Sequence, residues 1–205
     1  MYGETSPCLL LVFSNAGPGG EEALARWYME VHGPDAFRGG TWSALHRYRA
    51  VGDYDARFLA VWEGSFRSLA DARATMAPKG APRRDTSRIT DDLVVVWSAL
   101  KFHPGDAPAR PPLPVRTLTL VEGGSFDPPG VTAYRYGDVE LYESPDDPAD
   151  VAARWCSLGD EGVAPHGPYR NMFDHPESWP PEGHPVQTPW ISHWRPLASL
   201  RRENG

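Results

Sequence analysis

The chain has 205 residues, with 20 basic and 27 acidic side chains and a formal net charge of −7. No run of Lys or Arg offsets that charge, and only Lys79 and Lys101 are lysines, which argues against a nucleic-acid partner or an anionic membrane surface. Cys8 and Cys156 are too few for a disulfide framework and, with no export signal, read as two reduced, buried thiols in a cytoplasmic protein of one domain or two small ones.

The apolar run Cys8 to Phe13 lacks a basic flank and is too short for a signal sequence or a membrane span, so it is expected to be a buried strand. Leu24, Tyr28 and Val31 then recur at helical spacing. Glu21 and Glu22 fall in the first turn, and Gly33-Pro34 is expected to end the helix. His32 would lie in its last turn, where the macrodipole favours the imidazolium and a proton could be held and passed on near neutral pH. The plainer reading is a histidine that only caps a helix. From Thr41 to Val51 the pattern alternates, with Trp42, Ala44, His46 and Tyr48 on one face and Ser43, Leu45, Arg47 and Arg49 on the other. Phe58 to Glu63 is a second strand, Ser68 to Asp71 a variant capping box opening a helix through Met76, and Leu93 to Phe102 a further strand.

The order β-α-β-β-α-β makes residues 1–103 a ferredoxin-like α+β repeat, with two helices on one face of an antiparallel sheet. Residues 104–114 form a Pro-rich linker, and 115–205 read as a degenerate second copy. Leu118 to Val121, Arg135-Tyr136 and Leu141 to Glu143 supply its strands. Asp147-Pro148 opens a helix through Trp155, and Trp190 to Arg195 closes the copy. Only eight residues, Gly123 to Gly130, separate its first two strands, so it has no counterpart of the Trp27 to His32 helix. Residues 158–188 are long and irregular for a loop and read as a lid.

A strand and turn followed by Trp27-Tyr28-x-x-x-His32-x-x-Asp35, then an Arg47-Tyr48 strand and a strand ending Leu59-Ala-Val-Trp-Glu63, resembles the dimeric α+β barrel superfamily. Within it the chain is similar to the group named for ethyl tert-butyl ether degradation (EthD-like). The resemblance implies two antiparallel ferredoxin-like sheets packed as a barrel around a ligand cavity, closed within one chain or in a homodimer, with helices on the outer faces. Relatives include cofactor-free polyketide cyclases and monooxygenases, lactone isomerases and haem enzymes. It also implies that Tyr28, His32 and Asp35 occupy the positions of the helix-end motif.

If the helices cover one face of each sheet, alternation gives the cavity face as Trp42, His46, Tyr48, Trp62, Trp97 and Lys101 in the first half. In the second it gives Tyr134, Tyr136, Glu140, Tyr142, Trp190 and Trp194. Leu45, Val61, Val94, Val96, Val139, Leu141 and Ile191 are left to pack on the helices. Aromatics with a few polar tips suit a flat, apolar ligand, although the same residues serve equally as plain barrel core. His32 oriented by Asp35, or His46 on the barrel wall, is the candidate base for a proton next to a carbonyl, with Tyr48 or Arg47 stabilising the enolate oxygen.

The three histidines of the long loop, His166, His175 and His184, lack metal-ligand spacing, and no proximal haem ligand stands out. Gly17 to Gly20 is a plain turn and no nucleotide cradle. The expectation is an enzyme without cofactor or metal that cyclises, isomerises or dehydrates an aromatic or polyketide-like molecule. The alternatives are a non-catalytic binding protein of the same fold, a cofactor-free monooxygenase, and a structural partner whose aromatic face pairs with another chain.

Overall fold

The computed structural model describes residues 5–52, 56–76, 93–103, 117–122, 132–137, 139–156 and 190–202. The linker at 104–114 and the loop read as a lid at 158–188 lie outside these residues, as does the eight-residue connection at 123–130. Among the described residues no helix is long and apolar enough to cross a membrane.

The first half runs β1 (Ser6–Ala16), α1 (Glu21–Arg26), a π-helical turn (Trp27–His32), α2 (Gly33–Arg38), β2 (Trp42–Ala50), β3 (Phe58–Phe66), α3 (Leu69–Met76) and β4 (Leu93–Phe102). The second runs β5 (Thr117–Glu122), β6 (Thr132–Tyr136), β7 (Val139–Ser144), α4 (Pro148–Cys156) and β8 (Trp190–Arg201). Side-chain caps open α3 and α4, whereas α1 and α2 start without one. Ser68 Oγ accepts from the Asp71 N–H at 3.1 Å while Asp71 reaches back to the Arg67 N–H, and Asp147 accepts from the Ala149 N–H at 3.1 Å.

Strand order is β4-β1-β3-β2 in one half and β8-β5-β7-β6 in the other, the same ferredoxin-like order twice. Every described pairing is antiparallel, and β2 against β8 joins the halves into one eight-stranded sheet. The sheet's two outer strands also approach each other. The rings of His103, just past β4, and Tyr136, at the end of β6, lie 5.3 Å apart. This is the α+β barrel the sequence implied, built from two ferredoxin-like repeats with the helices outside.

Apolar residues separate into two clusters according to the face they occupy. Inside the barrel, Leu9, Leu11, Phe13, Tyr48 and Leu59 of the first half pack with Leu118, Tyr134, Tyr136, Leu141 and Trp194 of the second, all buried. Phe13 meets Trp194 edge-on with ring centroids 5.5 Å apart. The outer cluster lies between the first sheet and its helices, and includes Leu10, Leu24, Trp27, Tyr28, Leu45 and Trp62. Cys8 belongs to it, and burial pushes its thiol up to about 12, which leaves it an inert core side chain.

The first helix departs from expectation at its end. Gly33-Pro34 does not stop it, because the helical path continues to Arg38. The π register absorbs the proline: the Gly33 N–H bonds to Tyr28 O, five residues back, and Pro34 sits in the first turn of α2, where a missing N–H is tolerated. Gly33 also lies directly against the sheet. A Cβ there would fall 2.7 Å from Leu200 Cδ1 and 2.8 Å from Tyr28 O. Gly33→Ala is therefore expected to cost about 1–3 kcal/mol by overpacking. Urea titration reads this directly, and an unchanged midpoint would mean that the helix can lift off β2 and β8.

Candidate functional site

Of the candidate residues, His32, Asp35, Tyr28, Trp42 and Trp62 all lie on the helix side of the first sheet, with Tyr28 at their centre. The ring of Tyr28 is 2% exposed. The Arg47 guanidinium stands 4.4 Å over its centroid, Trp27 packs edge-on at 5.0 Å and His32 edge-on at 5.5 Å. His32 is stacked flat on Trp27, with 4.3 Å between centroids and 8° between planes, and Trp62 closes its other side at 5.1 Å. The π turn places Trp27, Tyr28 and His32 together over the sheet, a local widening of the helix often found where side chains serve a site.

Burial sets the proton chemistry here. It lowers His32 from 6.5 to about 4, against a smaller upward pull from the Asp35 carboxylate. The expected charged imidazolium at a helix C-terminus is thus replaced by a neutral one, because the helix does not end there and loss of water outweighs the nearby carboxylate. Asp35 itself is held by Arg38 at 2.6 Å. Burial also raises the Tyr28 phenol to about 12, opposed by Arg47 and the Ser14 hydroxyl, and it lowers Arg47, opposed by Tyr28.

The lowered His32 value makes stability depend on pH. The unfolded chain takes up this proton near pH 6.5 and the folded chain only near 4, so stability is complete above the upper value and falls as the pH drops between the two. After discounting for partial exposure, the loss is on the order of 2 kcal/mol by pH 4.5. Urea midpoints at pH 7 and 4.5, compared between wild type and His32→Gln, will show that share missing from the variant. Equal pH dependence in the two would remove His32 as its source.

His46 and Tyr48 sit on the opposite face, inside the barrel. His46 is 2% exposed and is held at both nitrogens: Nδ1 lies 2.7 Å from Ser199 Oγ on β8 and Nε2 2.9 Å from Glu63 Oε1 on β3. Neither Ser199 nor Glu63 was named from sequence as a site residue. Ser199 is 153 positions from His46, and its part of β8 lies beyond the Arg195 at which the closing strand was expected to stop. Arg47 and Tyr48, the two candidates for holding an enolate oxygen, therefore face opposite sides of one strand. Arg47 belongs with Tyr28 and His32, whereas Tyr48 belongs with His46.

Several face assignments change. Trp42 and Trp62 do not line the barrel: a register shift between Trp42 and Ala44 turns Trp42 outward, and Trp62 lies opposite Leu45 and Leu10 under the helices. Val61, expected under the helices, is inside opposite His46. In the second half Tyr134, Tyr136 and Trp194 do face inward, together with Val139 and Leu141, which were expected outside. Glu140 and Tyr142 take the outer face, where the Tyr142 hydroxyl and Arg135 both donate to the Glu140 carboxylate and Thr119 Oγ1 lies 2.9 Å from His193 Nδ1. The side chains of Trp97, Trp190, Ile191, Val94 and Val96 lie outside the described residues. Lys101 pairs with Leu9 and is buried on the inner face.

Haem, a cofactor among the relatives the resemblance implies, does not fit the buried histidines. It would need an imidazole nitrogen with open space the width of a porphyrin before it. His46 has both nitrogens engaged; the half-buried His32 has the rings of Trp27, Trp62 and Tyr28 against it; and His193, with Nδ1 on Thr119 and Nε2 unpartnered among the described residues, is 4% exposed, which leaves no porphyrin-wide space before it. Among the described residues no group of three or more His, Cys, Asp or Glu could hold a metal ion.

No protein-family model and no curated protein matches the chain. Solved structures do resemble it. A candidate chlorite dismutase superposes with a TM-score of 0.50 at 13% identity, covering 94% of this chain and 96% of its own. A mutant chlorite dismutase from Candidatus Nitrospira defluvii in complex with cyanide gives 0.50 at 12% identity, covering 96% and 92%. An anthrone oxidase-like protein gives 0.42 at 9% identity, covering 97% and 94%. At such identities the likeness carried by the two chlorite dismutases is one of fold.

Proposed function

We propose that this α+β barrel chain is a cofactor-independent enzyme of the EthD-like group, acting by acid-base catalysis on a small, flat aromatic or polyketide-like molecule. The site is the cluster around Tyr28, and cyclisation is the favoured reaction. One observation carries the proposal: a histidine kept neutral by burial stands in an aromatic box on a π-helical turn, with Arg47 across Tyr28. A neutral imidazole can accept a proton from carbon next to a carbonyl, and a guanidinium in a water-poor setting is suited to the negative charge that then develops on oxygen. Trp27, Tyr28 and Trp62 offer the flat apolar surface such a substrate needs.

A second reading has its own observation. Inside the barrel, Glu63 and Ser199 fix His46 from both sides, the arrangement a general base needs to keep its tautomer and aim. The described interior is filled by a joint core of both halves, so this reading requires access from the barrel mouth beside Glu63.

The test is a panel of aromatic ketones and linear polyketide mimics assayed with wild type, His32→Gln and His46→Gln, with binding followed in parallel. Turnover lost in His32→Gln while ligand still binds supports the Tyr28 cluster. Loss confined to His46→Gln moves the chemistry into the barrel. Unchanged behaviour in both leaves a binding protein. A native mass spectrum carrying an iron porphyrin would overturn the cofactor-free proposal.

A further inference from the structure

Among the described residues, three buried hydrogen-bonding groups of the Tyr28 cluster have no partner: the Ser14 hydroxyl, the Trp27 indole N–H and the Arg47 Nε–H. All three residues border Tyr28. Trp27 packs on its ring, Arg47 stands over its face, and the Ser14 hydroxyl is near enough to act on its phenol without completing a bond of full geometry. Arg47 is the decisive member. A guanidinium stays charged at any physiological pH, and this one is 2% exposed. On the covering helix, Glu21 pairs with Arg49 at 3.1 Å, Glu22 with Arg26 at 3.6 Å and Asp35 with Arg38 at 2.6 Å, while Glu30 is exposed. Among the described residues, those facing Arg47 are aromatic: Tyr28 at 4.4 Å and Phe58 at 5.4 Å.

Cation-π contact offsets only part of the desolvation of a buried cation. A bound anion would supply both a counter-charge for the guanidinium and an acceptor for the Ser14 hydroxyl, the Trp27 indole N–H and the Arg47 Nε–H. One guanidinium matches one negative charge, and a phosphate dianion would bring a second charge into a largely apolar setting. A carboxylate also fits the flat fork of an arginine.

We infer that Arg47, Ser14 and Trp27 form the seat for the carboxylate of a small aromatic acid. This deepens the proposal above and rests on it only for the cluster being a ligand site. The substrate class becomes an aromatic or polyketide acid: Arg47 holds its carboxylate in place of the enolate oxygen assigned above, and its ring lies against Trp27, Tyr28 and Trp62.

Benzoate and its neutral isostere benzamide, titrated calorimetrically at fixed ionic strength, test this. Wild type is expected to bind benzoate at least tenfold more tightly than benzamide, and Arg47→Met to lose the preference while melting no lower than wild type, since an apolar chain replaces an uncompensated charge. Equal binding of the two probes, or a preference that survives in Arg47→Met, overturns the inference. Should Arg47→Met fail to fold, Ser14→Ala serves instead: a severalfold weaker benzoate affinity supports the seat and an unchanged one overturns it. His32→Gln is expected to keep benzoate binding. A wild type that prefers benzoate yet turns over no substrate would sink the catalytic reading and leave the carboxylate seat standing.

Discussion

Phe13→Ala will lower the free energy of unfolding by about 3–5 kcal/mol. Phe13 is 1% exposed and meets Trp194 edge-on, although in the sheet β3 and β2 lie between their strands. The contact therefore crosses the barrel interior, from the first half to the second. Truncation removes a whole ring from a cluster that draws on both halves, and the rigid sheet around it limits how far the void can collapse. Phe13→Leu retains most of the volume and is expected to cost about 1 kcal/mol. Urea titration followed by circular dichroism measures both. A cost below about 1 kcal/mol for the alanine variant would show that the interior is loosely filled, and would strengthen the reading that places a ligand beside His46.

His32→Ala will lower turnover by about 10²- to 10⁴-fold, the usual share of a general base, with the larger effect on kcat. With the imidazole lowered to about 4, it is already neutral across the physiological range. kcat/KM should thus stay flat from pH 5 to 8 and fall only as His32 takes up its proton near pH 4. The effect on KM should be small, because the ring surface that holds an aromatic ligand is supplied by Trp27, Tyr28 and Trp62. A variant that keeps full turnover, or a profile whose acidic limb lies near 6.5 in the wild type, would remove His32 from the reaction.

The elements and their order were readable because hydrophobic period, caps and turn residues are local signals. Cys8 to Phe13, Thr41 to Val51, Ser68 to Asp71 and Asp147-Pro148 each announce themselves within a few residues. What alternation could not settle was facing in strands buried on both sides. Phe58 to Trp62 is buried at every position and has no polar residue, and Val139 to Ser144 is buried throughout with glutamates on both faces, so only the register against neighbouring strands decides. The shift at Trp42 reversed one residue within a strand otherwise read correctly, since His46 and Tyr48 do face inward. Gly33-Pro34 misled because the usual stop signal assumes an α register, and the π turn supplies a different one. Ser199 could not have been found from spacing, since its link to His46 exists only after β8 docks on β2, whereas Glu63 reaches His46 across the β2–β3 pairing. Arg47 was in view from the start, but only its burial without a counter-ion among the described residues gives it a meaning.

The position of β8 in the sheet has a consequence for how the protein is made. It lies between β2 and β5, and it pairs with residues more than a hundred positions earlier, Ala50 with Trp194 and Ala44 with Arg201. Such distant pairings close large loops before they return any stabilisation, so folding is expected to be slow and to have β8 docking as its late step. During synthesis, β2 and β5 each wait with an open strand edge until this segment leaves the ribosome. In that interval the nascent chain is exposed to pairing with other copies.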